Sequence, residues 1–213
     1  MKQLMMKDFI MQKSQVFLTI ALVIGLIIIW YASGTQLELI YLFSGLVISL
    51  SLITGGISYD DGNGATLFLL TLPVERKTIV ISKYMTGFLT VILGTFLTLT
   101  LVGILNIVIG SISSPPWTVI LGSLMGNLIA TALIFAMYFK FGYENIKYMI
   151  VGFILLAVIG SVLYIQTNML DTILKSAYHF SESTLVLIAA IVTLLIYIGS
   201  LLFSAQVMKR KEY

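Results

Sequence analysis

The charged side chains most open to chemistry lie between Tyr59 and Lys83, in the run YDDGNGATLFLLTLPVERKTIVISK. An acidic pair, Asp60 and Asp61, precedes a leucine-rich stretch and a proline, and a basic group of Arg76, Lys77 and Lys83 follows. Opposite charges set on either side of an apolar segment do not make a catalytic constellation. They suit recognition, in which apolar anchors give affinity and flanking charges fix register. The stretch from 59 to 83 therefore reads as a docking element.

Other chemistries are poorly supplied. There is no G-x-x-x-x-G-K-[ST] loop, so nucleotide phosphates are not cradled by that device. His179 is the only histidine, which rules out a paired-histidine metal site, and it reads as a solvated loop residue. With no cysteine, disulfide and thiolate chemistry are absent. A serine nucleophile within the apolar runs would need a nearby base, and none is evident. The expectation is a non-catalytic chain with no cofactor and no metal.

The elements that must carry the docking stretch follow from composition. With 59% hydrophobic and 10% charged residues and a mean hydropathy of +1.08, the chain is an all-α integral membrane protein. A helix needs roughly 20 apolar residues to cross the hydrocarbon core. Six segments qualify: Val16–Ser33, Leu37–Ser58, Phe88–Ile109, Trp117–Phe139, Tyr148–Ile165 and Thr184–Val207. The runs are unbroken, without the alternation of barrel strands. The first is read as a retained span and not a cleaved leader. On an N-in/C-in arrangement eleven of the twelve Lys and Arg residues fall on the inner side and only Lys175 lies outside. The net charge of +3 thus reports topology, and no nucleic acid partner is expected.

Residues 1–213 form one six-helix transmembrane domain on this reading. Residues 1–13 make an amphipathic interfacial helix on the cytosolic leaflet, 59–83 the cytosolic coupling segment, and 166–183 the largest outer loop. The proline-free stretch from Thr78 to Ile109 would be about 48 Å long as one helix, well beyond a hydrocarbon core of about 30 Å. Its surplus is expected to protrude into the cytosol as a stiff stalk. Pro115-Pro116 before Trp117 suits a helix start. Gly122, Gly126 and Ala130 recur every four residues as a helix-packing face, within the subunit or between subunits. Gly55-Gly56 marks a bending point. Thr95, Thr98, Thr100, Asn106, Asn127 and Thr131 are expected to bond to neighbouring helices. No ionisable residue lies near the centre of any span, so energy for transport would come from a partner and not from a proton relay.

The run TLFLLTLPVERKTIVISKY, residues 66–84, resembles a pattern of ABC-2-type permeases, the membrane subunits of ATP-driven exporters. Leu69, Leu70, Leu72, Pro73, Arg76, Ile79, Val80 and Lys83 carry the likeness. The six spans, the amphipathic entry helix and the inner termini extend it over nearly the whole chain. The resemblance implies a cytosolic coupling helix between the second and third spans that seats in a groove of a separate ABC ATPase subunit. Here that helix would be Ala65–Leu72, with Leu67, Phe68 and Leu70 as anchors, Pro73 closing it, and Asp60, Asp61, Arg76 and Lys77 as flanking charges. A loop lying on the bilayer is the plainer alternative, disfavoured because Asp60 and Asp61 would be repelled by anionic headgroups. The resemblance further implies a dimer with a second copy or a homologous permease, export of an amphipathic peptide or lipid-like substrate, and a bacterial plasma-membrane location. Small permeases of the phenol-soluble modulin or bacteriocin-immunity type are the nearest in form. An ATPase-independent channel or carrier, and a non-transporting scaffold or immunity protein, stay open as alternatives.

Overall fold

Long proline-free apolar runs leave the backbone little choice but helix, since every amide in hydrocarbon must bond within its own segment. Among the described residues five long helices result: α1 (Lys2–Ala32), α2 (Leu37–Gly62), α3 (Arg76–Ile109), α4 (Trp117–Phe141) and α5 (Glu182–Arg210). They come from a computed structural model that describes residues 2–32, 37–62, 75–109, 115–148, 152 and 182–210. No strand occurs among the described residues. Each helix holds a stretch long and apolar enough to span a membrane: Gln15–Ala32, Leu39–Asp60, Arg76–Val108, Trp117–Phe141 and Ser183–Arg210. The expected span Tyr148–Ile165 falls outside the described residues apart from Tyr148 and Gly152, and so does most of the 166–183 loop.

The entry helix differs from expectation. Residues 2–32 form one unbroken helix, so 1–13 are not a separate interfacial element. Nothing in the sequence between Lys2 and Gly25 would stop it, as there is no glycine or proline there. Its first half is polar inward and apolar outward: Asp8 and Gln12 are buried, while Met6, Ile10 and Phe17 are exposed. α1 runs antiparallel to α2, with Lys7 bonded to Asp60 at one end and Thr19, further along α1, 2.8 Å from Ser51. Between these points Gly55 and Gly56 let two glutamines come close. A methyl group at Gly55 would overlap the Gln15 amide, and one at Gly56 would lie 3.5 Å from Gln12. The glycine pair serves close approach, and α2 continues unbroken through it.

α3 matches its expected length as one helix of 34 residues, about 51 Å at 1.5 Å per residue. It is not a free stalk, because Ile79, Val80, Lys83 and Tyr84 in its first turns are buried against the other helices. Tyr84 is 1% exposed and sits against Phe135 and Tyr197 at ring-centroid distances of 5.0 and 5.4 Å. Its hydroxyl lies 2.6 Å from Ser200 and 2.8 Å from Ser204 on α5. Ser200 gives its single proton to the Ala132 carbonyl on α4, so Tyr84 donates to Ser200 and accepts from Ser204. Tyr197 donates in turn to the Tyr84 carbonyl at 2.6 Å. One tyrosine thus ties three helices together.

α4 begins after Pro116, which occupies the N-cap position with an extended ψ of 146°, one residue earlier than a first-turn proline. It ends at Gly142, whose φ of +80° allows its N–H to bond back to the Tyr138 carbonyl. Residues 143–148 then form a further helical turn. Two apolar cores fill the bundle. One gathers Ile57, Val80, Tyr84, Phe135, Tyr138, Ile146 and Met208 near the α2–α3 connection, and the other gathers Val23, Ile27, Ile40, Tyr41 and Val102 towards the far end. The start of α1, the end of α2, the start of α3 and the ends of α4 and α5 therefore meet at one end of the bundle.

The small-residue positions of α4 have different surroundings within the subunit. Gly122 and Gly126 are exposed with open space around them, whereas Ala130 is 6% exposed in the core. A four-residue step turns about 40° on a straight helix, so the two steps from Gly122 to Ala130 turn about 80°. The close approaches lie elsewhere: Gly45 beside Ser123, Gly87 beside Phe135 and Gly94 beside Ser49. Phe135 cannot swing aside, being buried and packed on Tyr84. Gly87→Ala is therefore expected to cost about 1–3 kcal/mol by overpacking, while Gly126→Ala stays within about 0.5 kcal/mol of the parent. Thermal unfolding in detergent checks the pair, and equal midpoints would contradict the assigned contact.

Candidate functional site

The residues that frame the α2–α3 connection converge on a buried charge cluster. α1 contributes Lys7 and Asp8, α2 contributes Asp60 from its last turn, and α3 contributes Lys83 from its second. Lys83 Nζ donates to Asp8 at 2.8 Å and also to Asp60. Lys7 Nζ lies 2.6 Å from Asp60 and 3.7 Å from Asp8. The Asp60 side chain is 1% exposed, that of Asp8 5% and that of Lys83 10%, whereas Lys7 at 26% reaches solvent. Two cations and two anions cancel, which is the condition under which charges tolerate burial. Thr86 adds a hydroxyl 3.4 Å from Asp8, and one turn along Thr90 lies 3.4 Å from Gln12.

This arrangement ties three helices together. The carboxylates are neutralised by lysines, and among the described residues no three of His, Cys, Asp and Glu converge as a metal site. What the cluster does is pin both ends of the 63–75 connection to α1. Beside it, Arg76 Nη1 donates to the Met208 carbonyl at 3.4 Å, a cation set against the C-terminal turn of α5.

The residues expected to dock a partner are divided by the structure. Asp60 faces inward, its carboxylate engaged by Lys7 and Lys83, and it does not present a free flanking charge. Asp61 belongs to the last turn of α2, and its side chain lies outside the described residues. Leu67, Phe68, Leu70 and Pro73 lie outside them altogether, as does the expected helix Ala65–Leu72. Arg76 and Lys77 are exposed at the start of α3.

Asp8 was missed as a site residue, although a signal for it exists. Asp8, Gln12, Gln15 and Thr19 follow one another at helical spacing, a polar stripe on an otherwise apolar helix. Within the spans, the threonines expected to bridge helices mostly bond to their own. Thr95, Thr98 and Thr131 donate to the carbonyls of Val91, Gly94 and Asn127, four residues back, and Thr100 to that of Leu97. The exceptions are informative: Ser49 Oγ and Asn127 Nδ2 are buried without a hydrogen-bond partner among the described residues.

A family model described as ABC-2 family transporter protein matches residues 3–209. No curated protein and no solved structure matches the chain.

Removing one member of a buried ion cluster leaves charge uncompensated, at about 3–5 kcal/mol. Lys83→Met is expected to destabilise the protein by that amount, since Asp8 and Asp60 would face each other with only Lys7 between them. Adding Asp8→Leu is expected to recover most of the loss, because the Lys7–Asp60 pair is then neutral by itself. Unfolding midpoints of the single and double variants test this, and a double variant no better than the single would refute the geometry.

Proposed function

The chain belongs to the ABC-2 transporter family, and from that membership we propose that it is the membrane-spanning permease subunit of an ATP-driven exporter, docked on a separate ABC ATPase through residues 59–83. The observation that carries the reading is the meeting of five helix ends at one pole, with the 63–75 connection leaving and re-entering there from a rigid charged base. Every described Lys and Arg belongs to a stretch at this pole, whereas Glu38 and Glu182 belong to the opposite one. That asymmetry supports an inner face at the basic pole, hence N-in/C-in with six spans.

The remaining parts of the proposal follow the same logic. The apolar anchors Leu67, Phe68 and Leu70 seat in the ATPase, with Asp61, Arg76 and Lys77 as flanking charges. A second copy or a related permease completes the pathway. Between Lys83 and the far pole the described spans carry no Asp, Glu, Lys, Arg or His. Such a lining suits an amphipathic peptide or lipid-like cargo moved outward at a bacterial plasma membrane, and it leaves the energy to be supplied by the ATPase.

Two measurements test this. Tagged protein extracted in mild detergent is expected to bring down a separate ATPase, and Leu70→Ala with Arg76→Ala to abolish that recovery; absence of any ATPase with the parent chain would sink the docking reading in favour of a self-sufficient carrier or scaffold. Because the chain has no cysteine of its own, Lys77→Cys and Glu144→Cys give single labelling sites. Both are expected to react with a membrane-impermeant maleimide from the cytosolic side alone, and labelling from outside would reverse the topology.

A further inference from the structure

We propose that the Lys7, Asp8, Asp60 and Lys83 cluster is a coupling joint that makes α1 move with the α2–α3 connection, so that a push on that connection is delivered to the first span. The inference rests on the docking reading and extends it to a helix the reading does not mention. Asp60 lies two residues before the end of α2, and Lys83 lies in the second turn of α3. A force on the residues between them reaches both groups. Both are bonded to α1, Lys83 through Asp8 and Asp60 through Lys7.

Three features make this tie suited to transmission and not merely to adhesion. It is largely shielded from water, so salt screens it little. It is directional: sliding α1 by one turn would part Asp8 from Lys83 and strand the Asp8 carboxylate among apolar groups while Lys83 stays with Asp60, a barrier that apolar packing alone would not impose. And it continues along α1, where Gln12 and Gln15 lie against Gly56 and Gly55 and Thr19 meets Ser51. α1 packs chiefly on α2 and α3, so those two helices set its position. Asp8 and Lys83 are positioning residues on this account; neither needs to touch the ATPase or the cargo.

Spin labels on the permease–ATPase complex provide the test. Phe17→Cys is paired with Leu93→Cys on α3 and, separately, with Leu133→Cys on α4, all at exposed positions. Distances are measured by pulsed electron resonance without nucleotide and with ATP plus vanadate. In the otherwise unaltered chain the α1–α4 distance is expected to shift with nucleotide while the α1–α3 distance stays fixed. Asp8→Asn with Lys7→Gln, which cuts both bonds to α1 and leaves Lys83 paired with Asp60, is expected to keep the ATPase bound and hydrolysing but to lose the α1–α4 shift. Should that variant resist purification, Asp8→Leu with Lys7→Met likewise leaves a neutral Lys83–Asp60 pair and is expected to show the same loss. A full shift in either variant with the ATPase bound overturns the joint while leaving docking intact, as does an α1 that never moves in the parent. Failure to recover any ATPase with the parent overturns docking, and the joint falls with it.

Discussion

A lysine ammonium held away from water between two aspartates sets the terms for the rest of this bundle. Lys83 cannot sit where it does unless α1 and α2 each supply a carboxylate, and those carboxylates cannot be buried unless Lys83 and Lys7 meet them. Three helices are thereby fixed in one register at one pole. The apolar cores fill the space around that register, and the glycines at 55, 56, 87 and 94 allow the close approaches it requires.

The bundle has two kinds of cement at this pole. On the α1 side, charges and amides face each other across α1, α2 and α3. On the α5 side, Tyr84 and its serines knit α3 to α4 and α5 through short hydroxyl bonds and ring contacts. Lys83 and Tyr84 are adjacent in sequence, so a single turn of α3 carries both. The start of α3 is consequently tied to four other helices, and it is where the connection from α2 arrives.

Much of this was legible in the residues, and the rest was hidden for definite reasons. Apolar run length gave the helical membrane class and the length of α3, because the cost of an unbonded amide in hydrocarbon acts on each segment alone. Asp8 escaped notice because its main partner, Lys83, stands 75 residues away in the chain. No periodicity reports such a neighbour. Of the Gly122, Gly126 and Ala130 pattern only Ala130 packs within the subunit, since regular spacing in sequence does not by itself say which neighbour a helix face meets. The anchors of the docking element, Leu67 to Pro73, lie outside the described residues and rest on the sequence.

The inward polar stripe of α1 also bears on how the protein is made. Asp8 and Gln12 have no suitable surroundings in lipid until α2 and α3 exist, and Asp8 must wait for a lysine 75 residues later in the chain. At about 5–20 residues per second, synthesis leaves that carboxylate without its partner for roughly 4–15 s. During this interval the first half of α1 is held better at the headgroups than within the bilayer, where its charge would be stranded. The first helix to emerge is thus among the last to settle, and its final seating becomes a late step of assembly that the third helix must trigger.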